Sequence, residues 1–102
     1  MEIYFVYITC PKQNVAQEIA QMLIEKRLIG CANIFPISSV FSWQDSINHE
    51  NEYVLLVKTV PEHADIIEEL VEKIHPNTIP CISKIKTNVN EKFYKWVRQQ
   101  VS

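Results

Sequence analysis

Cysteine and histidine are the side chains in this sequence best suited to metal binding or nucleophilic chemistry. There are three of each, Cys10, Cys31, Cys81, His49, His63 and His75. No CxxC pair is present, so neither a zinc ribbon nor a thioredoxin motif can be drawn. No Ser-His-Asp or Cys-His set can be placed by spacing, and the single glycine, Gly30, excludes a glycine-rich phosphate loop. We therefore predict no catalytic residues and no enzyme.

A second group of polar residues surrounds an unusual lysine. Lys58 lies inside an otherwise apolar run, YVLLVKT. Together with Asn33, Glu52 and Tyr94, it is predicted to line a polar pocket between subunits. The alternative is a structural ion pair or hydrogen-bond network at the same interface. Trp43 and Trp96 are predicted to be interface and core aromatics rather than platforms for a stacked ligand.

One long segment must position these residues. Cys31 to Trp43 alternates at period two, which is the pattern of a β-strand, and both of its faces carry apolar residues. Thirteen extended residues span roughly 43 Å, against about 17–20 Å for a typical strand. The polar segment from Gln44 to Glu52 is predicted to turn the chain, and Tyr53 to Thr59 to return as the second strand of a hairpin. A hairpin longer than its own domain leaves apolar side chains at its far end uncovered, and another copy of the chain is expected to bury them.

The rest of the chain completes a repeated pattern. We predict a strand from Ile3 to Ile8, a helix from Pro11 to about Leu28, a helix from Pro61 to about His75, a strand from Cys81 to Lys86, and a last helix from Glu91 to about Val101. The order is β-α-β-β-α-β plus a terminal helix, so residues 1–102 form one α+β domain of ferredoxin-like topology. Strands one and three are expected to run parallel at its centre.

Composition narrows the partners and the compartment. The chain is 47% hydrophobic and 22% charged, with a net charge of −2. That balance argues against non-specific binding to nucleic acid or to anionic membranes, both of which need a basic face. No apolar run reaches about 18 residues, and the N-terminus is typical of a strand rather than a signal peptide. We expect a cytoplasmic protein with three free thiols.

The ordered residues resemble those of the CutA family, the divalent-cation-tolerance proteins. The matching positions are Thr9, Pro11, Cys31-Ala32-Asn33, Trp43, Glu52, Lys58-Thr59, His75-Pro76, Pro80, Ile82, Asn90, Tyr94 and Trp96. The resemblance implies a compact homotrimer linked to the response to metal ions and to copper binding. It also leaves open an alternative, a signalling or scaffold trimer similar to nitrogen-regulatory proteins that binds a small ligand between subunits.

The resemblance also implies where copper ligands would lie. The corresponding positions hold Ile8, Ile74 and His75, so only His75 can coordinate a metal. Cys10 shares the face of Ile8 in an extended chain, and thiolate with imidazole suits copper or zinc. A helix of fifteen residues is expected to put His75 about 22 Å from the end of strand one. We therefore expect weak binding of Cu(II) or another divalent cation, through His75 and Cys10 of different subunits, and no required cofactor.

Overall fold

The computed structural model describes residues 1–102 and has four strands and three α-helices. The elements are β1 (Glu2–Cys10), α1 (Gln13–Glu25), β2 (Cys31–Trp43), β3 (Ser46–Thr59), a short 3-10 turn (Pro61–His63), α2 (Ala64–Ile74), β4 (Ile82–Asn88) and α3 (Glu91–Gln100). This order confirms the predicted β-α-β-β-α-β topology with a C-terminal helix.

The four strands form one sheet in the order β2-β3-β1-β4, and every neighbouring pair is antiparallel. In the β1–β3 pair, Tyr4 lies opposite Thr59 and Cys10 lies opposite Tyr53. The prediction that these two strands run parallel was wrong. The crossover through α1 leaves β2 parallel to β1, and the hairpin then inserts β3 between them, so β3 runs opposite to both.

The connection between β2 and β3 is much shorter than predicted. Trp43 pairs with Ser46, so only Gln44 and Asp45 form the turn. Both have positive φ, 51° and 63°, as in the type I′ turns that match the twist of a hairpin. The segment from Ser46 to Glu52, predicted to be part of the turn, is strand. Both faces of this segment are open to solvent. Its side chains are therefore mostly polar and lack the apolar alternation from which a strand is predicted.

The core lies on the face of the sheet that α1 and α2 cover. Val6, Ile8 and Cys10 of β1 are fully buried there beside Leu55 and Val57 of β3. The helices contribute the residues of their apolar stripes, namely Ala16, Ile19, Ala20, Leu23, Ile67 and Val71. None of the three helices has the length and hydropathy that a membrane span requires.

The opposite face of the sheet is only partly covered, by α3. The ammonium group of Lys58 lies 5.6 Å from the ring centre of Phe5 and 5.5 Å from that of Phe93 on α3. Arg98 of α3 forms an ion pair with Glu62, which fixes the helix to the segment before α2. Beyond this contact the face remains accessible.

The far end of the hairpin projects from the domain. β1 pairs with β3 only as far as Tyr53, so residues 37–43 and 46–52 pair only with each other. We call residues 37–52 the arm. Val40 and Ile47 are 65% and 78% exposed on one of its faces, while Phe41 and Trp43 are 39% and 43% exposed on the other. The molecule is 45 Å long in its longest dimension, in keeping with this extension.

Candidate functional site

His75 follows α2 and is buried, with 8% of its surface exposed. Its Nε2 lies 2.7 Å from the carbonyl oxygen of Thr9, and the backbone N–H of Asn77 donates to its Nδ1 at 3.0 Å. A carbonyl oxygen only accepts and a backbone N–H only donates, so Nε2 carries the proton and the ring is neutral. Both ring nitrogens are therefore engaged, and a metal ion would have to displace one of these bonds.

The position of His75 corrects the predicted distance from β1. Because β3 is antiparallel to β1, it ends at Thr59 beside Tyr4, near the start of β1. The eleven residues of α2 span about 16 Å and carry the chain back to the other end of β1. His75 thus reaches the end of β1 within a single chain, where a separation of about 22 Å was expected.

Cys10, the other predicted metal ligand, lies on the core face at the end of β1. Its side chain is fully buried. Burial, with a smaller contribution from the negative charge of Glu52, raises the pKa of its thiol to about 11. The thiolate is the form that binds metal, and it is scarce at neutral pH when the pKa is this high. No group of three or more His, Cys, Asp or Glu side chains in the chain is arranged to hold a metal ion.

An open pocket of about 730 Å³ lies beside the predicted metal residues. The arm, the end of β1 and the loop of residues 76–81 form its walls. Glu52, one of the four residues predicted to line an inter-subunit pocket, contributes to this one, and so does Trp43, which was predicted to be an interface aromatic. His75 holds the first residues of the loop in place through its bond to Asn77.

The other residues predicted for the pocket or the interface, Asn33, Lys58, Tyr94 and Trp96, lie elsewhere in the chain. Lys58 lies between two aromatic rings at the end of the sheet that α3 covers. The Tyr94 hydroxyl accepts a hydrogen bond from Arg98, and the Trp96 ring stacks on Phe93 with 5.8 Å between centres. Asn33 lies opposite Leu56 on the exposed edge strand. Asn33, Glu52, Lys58 and Tyr94 do not line one pocket within a single chain, and a pocket that they form between subunits stays a prediction.

Sequence reasoning missed several residues of the open pocket. Phe41, Glu50 and the loop residues Asn77 and Thr78 all line it. The alternation of Asn48, Glu50 and Glu52 was the available signal for the arm, because period two places all three on one face. The loop had no such signal, since its position depends on the long-range hydrogen bond that His75 donates to the carbonyl oxygen of Thr9.

The fold and this site define a class of protein. It is an α+β domain with an antiparallel ferredoxin-like sheet, two helices on one face and a projecting two-stranded arm. The model of the CutA1 divalent ion tolerance proteins matches residues 4–100, so the chain belongs to that family.

Curated relatives and solved structures agree with this assignment. The divalent-cation tolerance protein CutA of Archaeoglobus fulgidus is 39% identical over 98 residues, which cover 95% of this chain and 96% of that protein. The human protein CutA is 32% identical over 91% of this chain, which spans only 53% of the human protein. The crystal structure of CutA1 from Ehrlichia chaffeensis is 36% identical and superposes with a TM-score of 0.93 over 98% of this chain and 95% of its own. A structure described as the periplasmic divalent cation tolerance protein CutA of A. fulgidus also has a TM-score of 0.93, with 37% identity and full coverage of both chains.

Proposed function

We propose that this CutA-family protein acts as a homotrimer in the response to divalent metal ions, and that its arm joins the subunits. The observation that carries the trimer is the arm itself. Two strands paired only with each other are marginally stable in water unless a hydrophobic face is covered. The arm has exposed apolar side chains on both faces, including Val40 and Ile47 on one face. A neighbouring copy of the chain supplies the cover.

The open face of the sheet supports the same assembly. Phe35 on β2 and Ile85 on β4 are 40% and 42% exposed and share the face that α3 leaves accessible. β2 is also an edge strand of thirteen residues, which presents unpaired backbone groups along its length. Sedimentation equilibrium tests the proposal, with a species of three times the 11.9 kDa chain mass expected at micromolar concentration. A stable monomer under these conditions would contradict it.

We propose that metal binding is weak and uses His75 and Cys10. Imidazole and thiol are suitable ligands for Cu(II) or Zn(II). Both ring nitrogens of His75 already have partners, and the Cys10 thiol is protonated at neutral pH. Metal binding therefore competes with existing hydrogen bonds and with a proton. Equilibrium titration with Cu(II), with and without His75→Ala, tests this route.

A second candidate function is a signalling or scaffold trimer that binds a small molecule. The open pocket of about 730 Å³ favours it, because small-molecule sites in proteins typically have volumes of about 300–1,000 Å³. We propose that the protein is not an enzyme and acts in the cytoplasm, where its three cysteines remain reduced. A small molecule that co-purifies with the trimer, with no measurable metal affinity, would favour this second function.

A further inference from the structure

We propose that α3 is a releasable lid on the sheet. The helix lifts as a unit about its connection to β4, residues 89–90, and uncovers Lys58 and Cys31 while the core stays folded. This inference rests on contacts within one chain and on neither the trimer nor copper binding. Its failure would therefore leave both of those proposals untouched.

The helix α3 buries little of itself for an element of ten residues. Val97 is its only buried residue, and Val97 lies outside the cluster of twelve residues that forms the core. The residue before the helix, Asn90, forms no capping hydrogen bond through its side chain. Helices shorter than about 12–15 residues are marginal in water by themselves, so contacts with the rest of the domain must hold α3 in place.

The closest of these contacts joins Val97 to Gly30, the only glycine of the chain. A Cβ atom at Gly30 would lie 3.1 and 3.2 Å from the two methyl groups of Val97 and 3.3 Å from its Cα. Carbon atoms in favourable contact are about 3.5–4.0 Å apart. Gly30 does not have a positive φ, so its backbone conformation would suit other residues. The glycine is needed here because α3 packs directly on the backbone.

Two further contacts of α3 are electrostatic. The ring of Phe93 lies 5.5 Å from the ammonium group of Lys58, whose other side faces the ring of Phe5. Arg98 donates to both carboxylate oxygens of Glu62, with 3.0 Å between Nη2 and Oε1. This ion pair is partly exposed to solvent, so dissolved salt screens it. High ionic strength should therefore favour release of the lid.

The surface beneath α3 carries a cation and a thiol. Cys31 and Lys58 lie directly opposite each other on β2 and β3, so their side chains share the face that α3 covers. Burial raises the pKa of the Cys31 thiol, and the charge of Lys58 opposes the rise. When α3 lifts, burial decreases while Lys58 stays opposite, so the thiol should become more reactive. The open state thus presents two reactive side chains that the closed state masks.

Hydrogen exchange of the native protein, followed by NMR for each amide, tests the proposal. We expect the amides of residues 95–100 to share one opening free energy and to exchange at least tenfold faster than those of β3 in the core. Arg98→Gln and high ionic strength should each speed their exchange at least threefold and leave β3 unchanged. Lys95→Gln removes the same charge but breaks only the ion pair with Glu91 inside the helix. It is the matched control and should leave the exchange of α3 unchanged.

Gly30→Ala tests the steric contact. The added methyl group pushes Val97 away, so α3 should exchange at least threefold faster and Cys31 should react faster with a thiol reagent. Mass spectrometry of the labelled chain identifies which cysteine has reacted. In a Val97→Ala background two of the three close approaches are gone, so Gly30→Ala should have a smaller effect there.

Four outcomes would overturn the inference. Exchange of α3 as slow as that of β3 would show that the helix does not lift separately from the core. Protection that rises steadily inward from Gln100 would show fraying of the helix end instead of movement as a unit. Equal effects of Arg98→Gln and Lys95→Gln would show that the ion pair with Glu62 does not hold the lid. Faster exchange in Gly30→Ala without faster labelling of Cys31 would show that α3 does not cover the thiol.

Discussion

His75 donates from Nε2 to the carbonyl oxygen of Thr9 at 2.7 Å, across 66 residues of sequence. This bond fastens the end of α2 to the end of β1. The same ring accepts from the backbone N–H of Asn77, so it also fixes the start of the loop that walls the open pocket. One buried side chain therefore joins the core of the domain to its candidate site.

We expect His75→Ala to destabilise the protein by about 1–3 kcal/mol, because it leaves the Thr9 carbonyl and the Asn77 N–H without their partner. Urea denaturation at one fixed protein concentration measures the change, since the stability of an oligomer depends on concentration. His49→Ala is the matched control. His49 is exposed on the arm and forms no side-chain hydrogen bond, so its loss should change stability by less than about 0.5 kcal/mol. Equal effects of the two variants would contradict a structural role for His75.

Local pattern was sufficient to predict β2, and the limits of that strand are confirmed at Cys31 and Trp43. Period-two alternation defines a strand whatever it pairs with. The predicted direction of β3 relative to β1 was wrong, because that direction depends on how the hairpin inserts into the sheet. That single error also separated His75 from β1 in the prediction, although the structure brings them into contact.

The candidate site was predictable only where it lies on the hairpin. Trp43 and Glu52 line the open pocket, and both were selected from the sequence. Lys58 was selected as an unusual charge, and the structure shows why it is tolerated. Two aromatic rings, from Phe5 and Phe93, flank its ammonium group. Phe93 is distant in sequence, so no local pattern around Lys58 indicated this environment.

A charge on the exposed apolar faces of the arm should loosen the trimer. We expect Ile47→Lys and Trp43→Glu each to shift the assembly toward monomer, because each places a charge where a neighbouring chain must bury apolar surface. Sedimentation velocity over a dilution series measures the shift. Glu69→Lys is the control because Glu69 is exposed on α2 without an ion pair, whereas Glu68 contacts Lys84 at 2.8 Å. If all three variants dissociate at the same concentration, the arm does not join the subunits.

The three cysteines should react in the order of their exposure. All three are free thiols; Cys81 is exposed, Cys31 is half-buried and Cys10 is buried. Burial raises the pKa of Cys31, although the positive charge of Lys58 opposes the rise, and the pKa of Cys10 is about 11. We expect one fast thiol in the native protein and three under denaturing, non-reducing conditions, measured with a chromogenic thiol reagent. A single thiol in the denatured chain would reveal an internal disulfide and an oxidising compartment.

Ionisation of Cys10 should reduce stability at alkaline pH. Burial raises the folded-state pKa to about 11, so the contribution of the thiol is fully present below the unfolded-state pKa near 9. Between about pH 9 and pH 11 the unfolded chain loses the proton first, and the folded state loses about 2–3 kcal/mol relative to it. The free energy of unfolding across this range, compared with that of Cys10→Ala, isolates the effect from the other titrating groups. An identical pH slope in both proteins would contradict the raised pKa.

Folding should not depend on a metal ion. A structural zinc site is closed by four ligands, and no cluster of even three candidate side chains is present. The core is instead a continuous set of twelve buried residues between the sheet and two helices. We therefore expect the same melting temperature with and without a chelator, in contrast to small domains whose folding free energy comes from metal binding.

Copper should bind weakly, and its affinity should fall on His75→Ala but not on His49→Ala. A melting temperature that collapses on chelation would reveal a structural metal site, and unchanged copper affinity in His75→Ala would move the binding site elsewhere.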